Sequence, residues 1–327
     1  MMDRQLPTYS DITEAAAVRL AGIADETPVR SSPKLDALAG AAVLVKAECL
    51  QVTGSFKIRG AYNRLAQLTE EQRAAGVVAF SSGNHAQGVS RAAKLLGMPA
   101  LIVMPSDAPT VKIDGVRRDG AEIHLYDRET ESREDIAAEI AAQRGAVIVP
   151  SFDDPHIIAG QGTVGLEFAR QLDAPLDHLI CCAGGGGLIS GIALAFEQLS
   201  PGTKIHPSEP DTHDDWKLSL AAGTVVRNAP GTRSICDAIL TPQPGELTWA
   251  IGNRLLSAGF AVSDAEVRHA VRAAYDIFGL TVEPGGAAAL ATAVRGLPDE
   301  MRDKRVGIIV TGGNIDPAMH AGILNET

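Results

Sequence analysis

The sequence lacks several features that would place it in other classes of protein. It has no clustered basic face, since 29 Lys and Arg stand against 40 Asp and Glu for a formal net charge of −11. The densest positive pair is Arg117 and Arg118. Neutralising a phosphate backbone needs many such contacts, so a nucleic-acid partner is not expected. No long block of like charge occurs, and 45% of the residues are hydrophobic, enough apolar surface to fold around a core. Cysteine is scarce and unpatterned. Cys49, Cys181, Cys182 and Cys236 show no CxxC spacing, which points to buried, reduced thiols in a cytoplasmic protein rather than a disulfide framework or zinc site. The first 20 residues contain no basic segment followed by an apolar one, so no signal peptide is expected. One window of membrane-spanning length is free of charge, residues 179–196, but Gly184, Gly185, Gly186 and Gly187 interrupt it. Each glycine costs about 1 kcal/mol in a helix, so the window reads as strand, loop and helix, and no membrane partner is expected. There is also no internal repeat and no low-complexity linker.

What is present is alternation. Its 327 residues suit two domains or one large α/β unit. Short apolar or β-branched runs at residues 43–48, 77–80, 100–104, 122–125, 147–149, 178–182 and 306–310 read as strands. Segments of helical period separate them, among them residues 131–144, 157–171 and 264–278. Such alternation predicts an α/β protein with mostly parallel sheets and helices on both faces. Asp11-Ile12-Thr13-Glu14 has the form of a capping box that opens the first helix. Residues 223–244, rich in Pro, Gly and Thr, read as a long irregular connection near a site. In sheets of this kind chemistry gathers at the carboxyl ends of the strands.

Four loops there stand out. The first, Thr53-Gly-Ser-Phe-Lys57, leads into a helix. A lysine at the positive end of the helix dipole has its pKa lowered, as a Schiff-base lysine requires, although a solvated surface lysine would look the same. The second is Ser81-Ser82-Gly83-Asn84-His85, between a strand and a helix. It suits a tight capped turn, and its exposed N–H groups equally suit a carboxylate or phosphate. The third is the tetraglycine loop. Bare backbone ahead of a helix can wrap a phosphate. It is no dinucleotide fingerprint, because Ile189 and Ser190 stand where a third glycine would be, and it lacks the Gly-Lys-Ser/Thr of a nucleotide loop. Close packing needs one or two glycines, not four. A phosphorylated cofactor fits better. The fourth loop, Thr311-Gly-Gly-Asn314, supplies a hydroxyl at a strand end.

In combination and in this order, these loops resemble the β-family, fold type II, of pyridoxal-phosphate enzymes, and within it the threonine/serine dehydratase and serine racemase group. The resemblance runs from about Asp11 onward through GSFKIRGA (54–61), SSGNHAQG (81–88), PSFDDPHIIAGQGT (150–163), AGGGGLISG (183–191), EPDTHDDW (209–216) and TGGN (311–314). It implies a tryptophan-synthase-β-like architecture of two open, twisted, mostly parallel sheets. Residues 1–53 and 146–327 would form a large cofactor-binding domain, and residues 54–145 a small mobile one carrying the Ser81–His85 turn. It further implies a homodimer with pyridoxal 5′-phosphate. Lys57 would carry the cofactor; Gly184, Gly185, Gly186, Gly187 and Leu188 would bind its phosphate. Asn84 would hold its phenolic oxygen, Thr311 would meet its ring nitrogen, and Phe56 would lie beside the ring.

The expected reaction is removal of the Cα proton by Lys57 and loss of the β-hydroxyl from L-threonine or L-serine, giving a 2-oxo acid and ammonia. Serine racemase or hydroxyaspartate lyase activity is the alternative from the same site; an inactive ligand-binding module and a β-replacement enzyme are further ones, disfavoured by Lys57 and by the Ser-Ser turn. Ser81, Ser82 and His85 would bind the substrate carboxylate. Ser82, where many threonine dehydratases have alanine, is either a second acid/base on the face opposite Lys57 or an N-cap. Arg133 matches an arginine that approaches the substrate in racemases and hydroxyaspartate dehydratases, or is a helix-surface residue. Phe80 stands where those relatives commonly have histidine, which points away from a substrate with a second carboxylate; Phe152-Asp-Asp has the threonine dehydratase form. Glu209 and Asp215, with the main-chain oxygen of His213, match a divalent-cation site suited to Mg²⁺, Ca²⁺ or Mn²⁺; alternatively these acids only complement a helix dipole. With the chain ending soon after TGGN, no regulatory domain and no isoleucine feedback are expected.

Overall fold

The computed structural model describes residues 5–81, 83–108 and 110–326, so Ser82 lies outside the described residues. Ten strands occur among them: β1 (Val29–Arg30), β2 (Ala42–Ala47), β3 (Val77–Phe80), β4 (Ala100–Pro105), β5 (Glu122–Tyr126), β6 (Val147–Ile148), β7 (His178–Cys182), β8 (Lys204–Pro210), β9 (Phe260–Val262) and β10 (Arg305–Val310). They form two sheets, a six-stranded one in the order β1-β2-β10-β7-β8-β9 and a four-stranded one in the order β5-β4-β3-β6. Only β1 runs antiparallel to its neighbour. β4 and β7 are buried along their whole length, as strands covered by helices on both faces must be. The mostly parallel α/β architecture is thus as expected. The small sheet draws its last strand, β6, from residues just beyond 145.

Three strands were not legible. β1 and β9 have only two and three residues, too short to show alternation. β8 contains Pro207 and Pro210, residues that argue against a central strand. Helix starts are set by caps. Asp154 accepts from His156 N and Ile157 N, so the helix Pro155–Gln171 opens earlier than its apolar period suggests. The first capping box is displaced from the expected position. Thr8 is the N-cap and Asp11 is its N3 partner, because Thr8 comes one turn ahead of Asp11 and completes the reciprocal bonds.

The helix Lys57–Leu65 packs on Pro155–Gln171 at very close range. A Cβ on Gly160 would lie 2.6 Å from Gly60 Cα, so glycine is required for the approach. Buried charge fixes the same helix. Arg59 is paired with Glu48, Nε to Oε2 at 2.9 Å and Nη2 to Oε1 at 2.8 Å, and Nη2 is 3.0 Å from Glu167 Oε2. Lys46 completes the group against Glu167. Two cations face two anions, which is what makes such burial tolerable.

Candidate active site

The carboxyl ends of β3, β7 and β10 converge on a cavity of about 400 Å³. Three contacts stitch the first and last motifs together there: Phe56 N donates to Thr311 O (3.2 Å), Gly313 N to Gly54 O (2.8 Å) and Asn314 Nδ2 to Thr53 O (2.9 Å). Phe56, Lys57, Ser81, Asn84, His85 and Arg133 all line the cavity, as do Gly184, Gly185, Gly186, Gly187, Leu188 and Thr311. Glu209, His213 and Asp215 lie elsewhere.

Lys57 opens its helix, and its Nζ donates to Ser151 O at 2.9 Å. Its pKa is lowered to about 8, with burial as the main cause and Cys182 and Glu283 opposing. The lowering was expected from the helix dipole; its main cause is burial. His85 is neutral, since burial and then Lys57 hold its pKa down at about 3. Its Nε2–H donates to Val149 O at 3.0 Å, so the side chain offers no positive charge to a carboxylate. What the turn offers instead is the N–H groups of the helix Asn84–Leu96, whose first turn has no intrahelical acceptors.

Asn84 is oriented by both its neighbours. Asn314 Nδ2 donates to Asn84 Oδ1 at 2.7 Å, and Asn84 Nδ2 donates to Glu283 Oε1. The amide therefore has its remaining N–H, and not its oxygen, to give to a ligand. Glu283 was not singled out from the sequence. It is buried, its pKa is pushed up to about 7 by desolvation, and its Oε2 has no partner. Its position ahead of Pro284-Gly285-Gly286 reads only as a helix start. Two further cavity residues were missed. Cys182 Sγ lies 3.1 Å from Thr311 Oγ1, and Lys112, from the helix Thr110–Arg118, pairs with Asp237 at 2.5 Å. Asp237 belongs to the irregular stretch 223–244, which does border the site.

The tetraglycine loop is glycine by necessity. A Cβ on Gly185 would stand 2.3 Å from the Phe152 ring, and one on Gly186 (φ +92°) 2.1 Å from Trp216. The loop runs into the helix Gly187–Leu199, whose first N–H groups, at the positive end of the dipole, suit an anion. Bare N–H groups, a low-pKa lysine and an amide donor within one cavity fit a phosphorylated carbonyl cofactor with a phenolic oxygen.

Residues 21–312 match the family described as "Pyridoxal-phosphate dependent enzyme". The chain belongs to this family. The enzyme is 46% identical over 321 residues to an L-threo-3-hydroxyaspartate ammonia-lyase of a Pseudomonas species, covering 98% of this chain and 99% of that protein. To a serine racemase of Schizosaccharomyces pombe it is 39% identical, with 98% of each chain covered. Its fold matches the structure of maize serine racemase with a TM-score of 0.91 at 39% identity, covering 97% of each chain. It is thus a fold type II pyridoxal-phosphate enzyme of the lyase and racemase group.

Outside the cavity, Glu209 and Asp215 form a buried acidic pair. Glu209 Oε1 accepts from Trp216 N (3.2 Å) and Oε2 from Lys217 N (3.0 Å). Asp215 Oδ1 accepts from Asn228 Nδ2 at 2.5 Å, while Oδ2 has no partner. Burial raises both pKa values, that of Asp215 to about 7, and the charge of Asp215 raises Glu209 further. Among the described residues no cluster of three His, Cys, Asp or Glu side chains is placed to hold a metal. An oxygen-ligated cation fits the two carboxylates only with main-chain oxygen or water as further ligands. No helix among the described residues is long and apolar enough to cross a membrane.

Proposed function

We propose that this enzyme is an ammonia-lyase acting on a 3-hydroxy amino acid that carries a second carboxylate, with 3-hydroxyaspartate as the substrate, giving a 2-oxo acid and ammonia. The observation that carries the reading is Arg133. It opens the helix Arg133–Arg144 at the cavity wall, with its guanidinium over the ring of Phe80. A cation that reaches the cavity from the small-sheet side suits a carboxylate at the substrate's β-carbon. The similarity to the Pseudomonas lyase supports the same choice.

When bound, pyridoxal phosphate withdraws electrons from the substrate Cα and so acidifies its proton. The 184–187 loop and Leu188 would hold the phosphate, Asn84 would donate to the phenolic oxygen, Thr311 would offer its hydroxyl to the ring nitrogen, and Phe56 would lie beside the ring. Lys57, with an amine that is neutral above about pH 8, takes the Cα proton. The β-hydroxyl leaves as water, taking up one proton in place of the one Lys57 removed, and hydrolysis of the released enamine gives the 2-oxo acid and ammonia. Ser81 and the helix N–H groups at Asn84 and His85 orient the α-carboxylate. The units built on the two sheets form the large and small domains, closing over the site. Glu209, Asp215 and the His213 carbonyl would hold a divalent cation, and the enzyme would work as a homodimer in the cytoplasm.

The test is a steady-state comparison of L-threonine, L-serine, D-serine and the 3-hydroxyaspartate diastereomers on the pure protein. The highest kcat/KM is expected for a 3-hydroxyaspartate. A higher value for L-threonine or L-serine sinks the reading in favour of the simpler dehydratase, and D-serine formation as the main product would favour a racemase.

A further inference from the structure

A loop that binds phosphate through main-chain N–H groups must turn its carbonyls elsewhere, because an unsatisfied carbonyl facing the anion would repel it. In this chain each outward carbonyl has a dedicated donor. Trp216 Nε1 donates to Gly184 O at 2.7 Å, and Thr248 Oγ1 donates to Gly185 O at 2.7 Å. Gly186 O is taken by Ser190 N within the following helix. Both side-chain donors are fully buried. Trp216 also fills the space beneath the loop, since Cβ atoms on Gly186 and Gly252 would stand 2.1 and 2.4 Å from its ring. Thr248 sits on the helix Glu246–Leu255, and its own carbonyl accepts from Ser190 Oγ at 3.1 Å. The two donors come from different helices and reach successive carbonyls of the same loop.

We infer that Trp216 and Thr248 are positioning residues for the cofactor's phosphate: by binding the carbonyls of Gly184 and Gly185 from behind, they hold the loop's N–H groups toward the cavity. Neither lines the cavity. The main-chain N–H of Trp216 in turn donates to Glu209 Oε1, so the acidic pair is joined to the phosphate loop through one residue. The inference rests on the reading of the 184–187 loop as the phosphate site.

The experiment titrates the full chain, freed of cofactor, with pyridoxal 5′-phosphate and separately with pyridoxal, which lacks the phosphate. Binding is followed by cofactor absorbance in the wild type, Trp216→Phe and Thr248→Val. A neutral hydrogen bond corresponds to a factor of about two to ten in affinity. Each variant should lose that factor for pyridoxal 5′-phosphate while its pyridoxal affinity is unchanged. Equal weakening toward both ligands would mean a general packing role and overturns the proposal, as does unchanged affinity for both. If Trp216→Phe does not fold, Thr248→Val, which keeps the side-chain shape, decides alone. A wild type that binds pyridoxal as tightly as its phosphate overturns the phosphate reading of the loop and this proposal with it. A wild-type preference that both variants retain overturns only the proposal.

Discussion

The guanidinium of Arg133 lies over the ring of Phe80, 5.5 Å from the centroid. Phe80, which from the sequence pointed away from a second substrate carboxylate, instead provides a platform for the cation that would bind one. Arg133 is about half exposed and also bonds to Glu134, Nε to Oε1 at 2.8 Å, so it can exchange partners at little cost. Arg133→Ala should lower kcat/KM for 3-hydroxyaspartate roughly 10- to 100-fold, the worth of a charge-assisted contact. L-Serine elimination should stay nearly unchanged. An equal loss on both substrates would assign Arg133 to another task.

The burial of Lys57 predicts a pH dependence. With its pKa near 8 rather than 10.5, the amine of the cofactor-free protein is mostly protonated at pH 6 and mostly neutral at pH 9. Covalent attachment of pyridoxal 5′-phosphate needs the neutral amine, so its rate should rise with pH through about 8 and level off above about 9. Stopped-flow absorbance measures this, and a rate still climbing at pH 10 would contradict it. Lys57→Ala should abolish both the visible absorption and turnover; a borohydride-reducible adduct at another lysine would move the role there.

Two buried carboxylates at Glu209 and Asp215 oppose each other when no cation lies between them. A bound divalent cation should raise stability by mass action, about 2.7 kcal/mol at a hundred times its Kd. Asp215→Asn removes the charge that raises the pKa of Glu209. Without added metal it should therefore melt above the wild type, and it should no longer respond to Mg²⁺ or to a chelator. Unchanged melting of the wild type across chelation would leave the pair as a helix cap only.

Ser82 is tested by following D-serine formation, 2-oxo acid release and Cα-deuterium exchange together. If it is a second acid/base, Ser82→Ala should remove D-serine formation while 2-oxo acid release persists, a change of about 10²–10⁴ in the lost step. Cα-deuterium exchange from the Lys57 face should continue. Parallel loss of all three would make Ser82 a carboxylate binder.

The Arg59 network predicts a stability effect away from the chemistry. Arg59→Leu strands Glu48, which is fully buried, and leaves Lys46 as the only cation of the group. The loss should be about 3–5 kcal/mol by denaturant unfolding, the usual result of breaking one partner of a buried pair. A loss below about 1 kcal/mol would show that water reaches Glu48.

Much of this protein was determined by its sequence alone. The α/β class, the strands with long apolar runs and the four loops that border the cavity follow from properties that each residue carries with it. Four glycines can only be bare backbone, and a lysine at a helix start brings its amine wherever the chain goes. Only the tertiary structure decided what acts on those residues. It put Pro207 and Pro210 into a central strand, turned Asn84 by Asn314 and Glu283, seated Arg133 on Phe80, and placed Trp216 and Thr248 behind the glycine loop. Each of these is a contact between segments set by where the sheets bring them, and a side chain's pKa, orientation and partner depend on that meeting rather than on its neighbours in the chain.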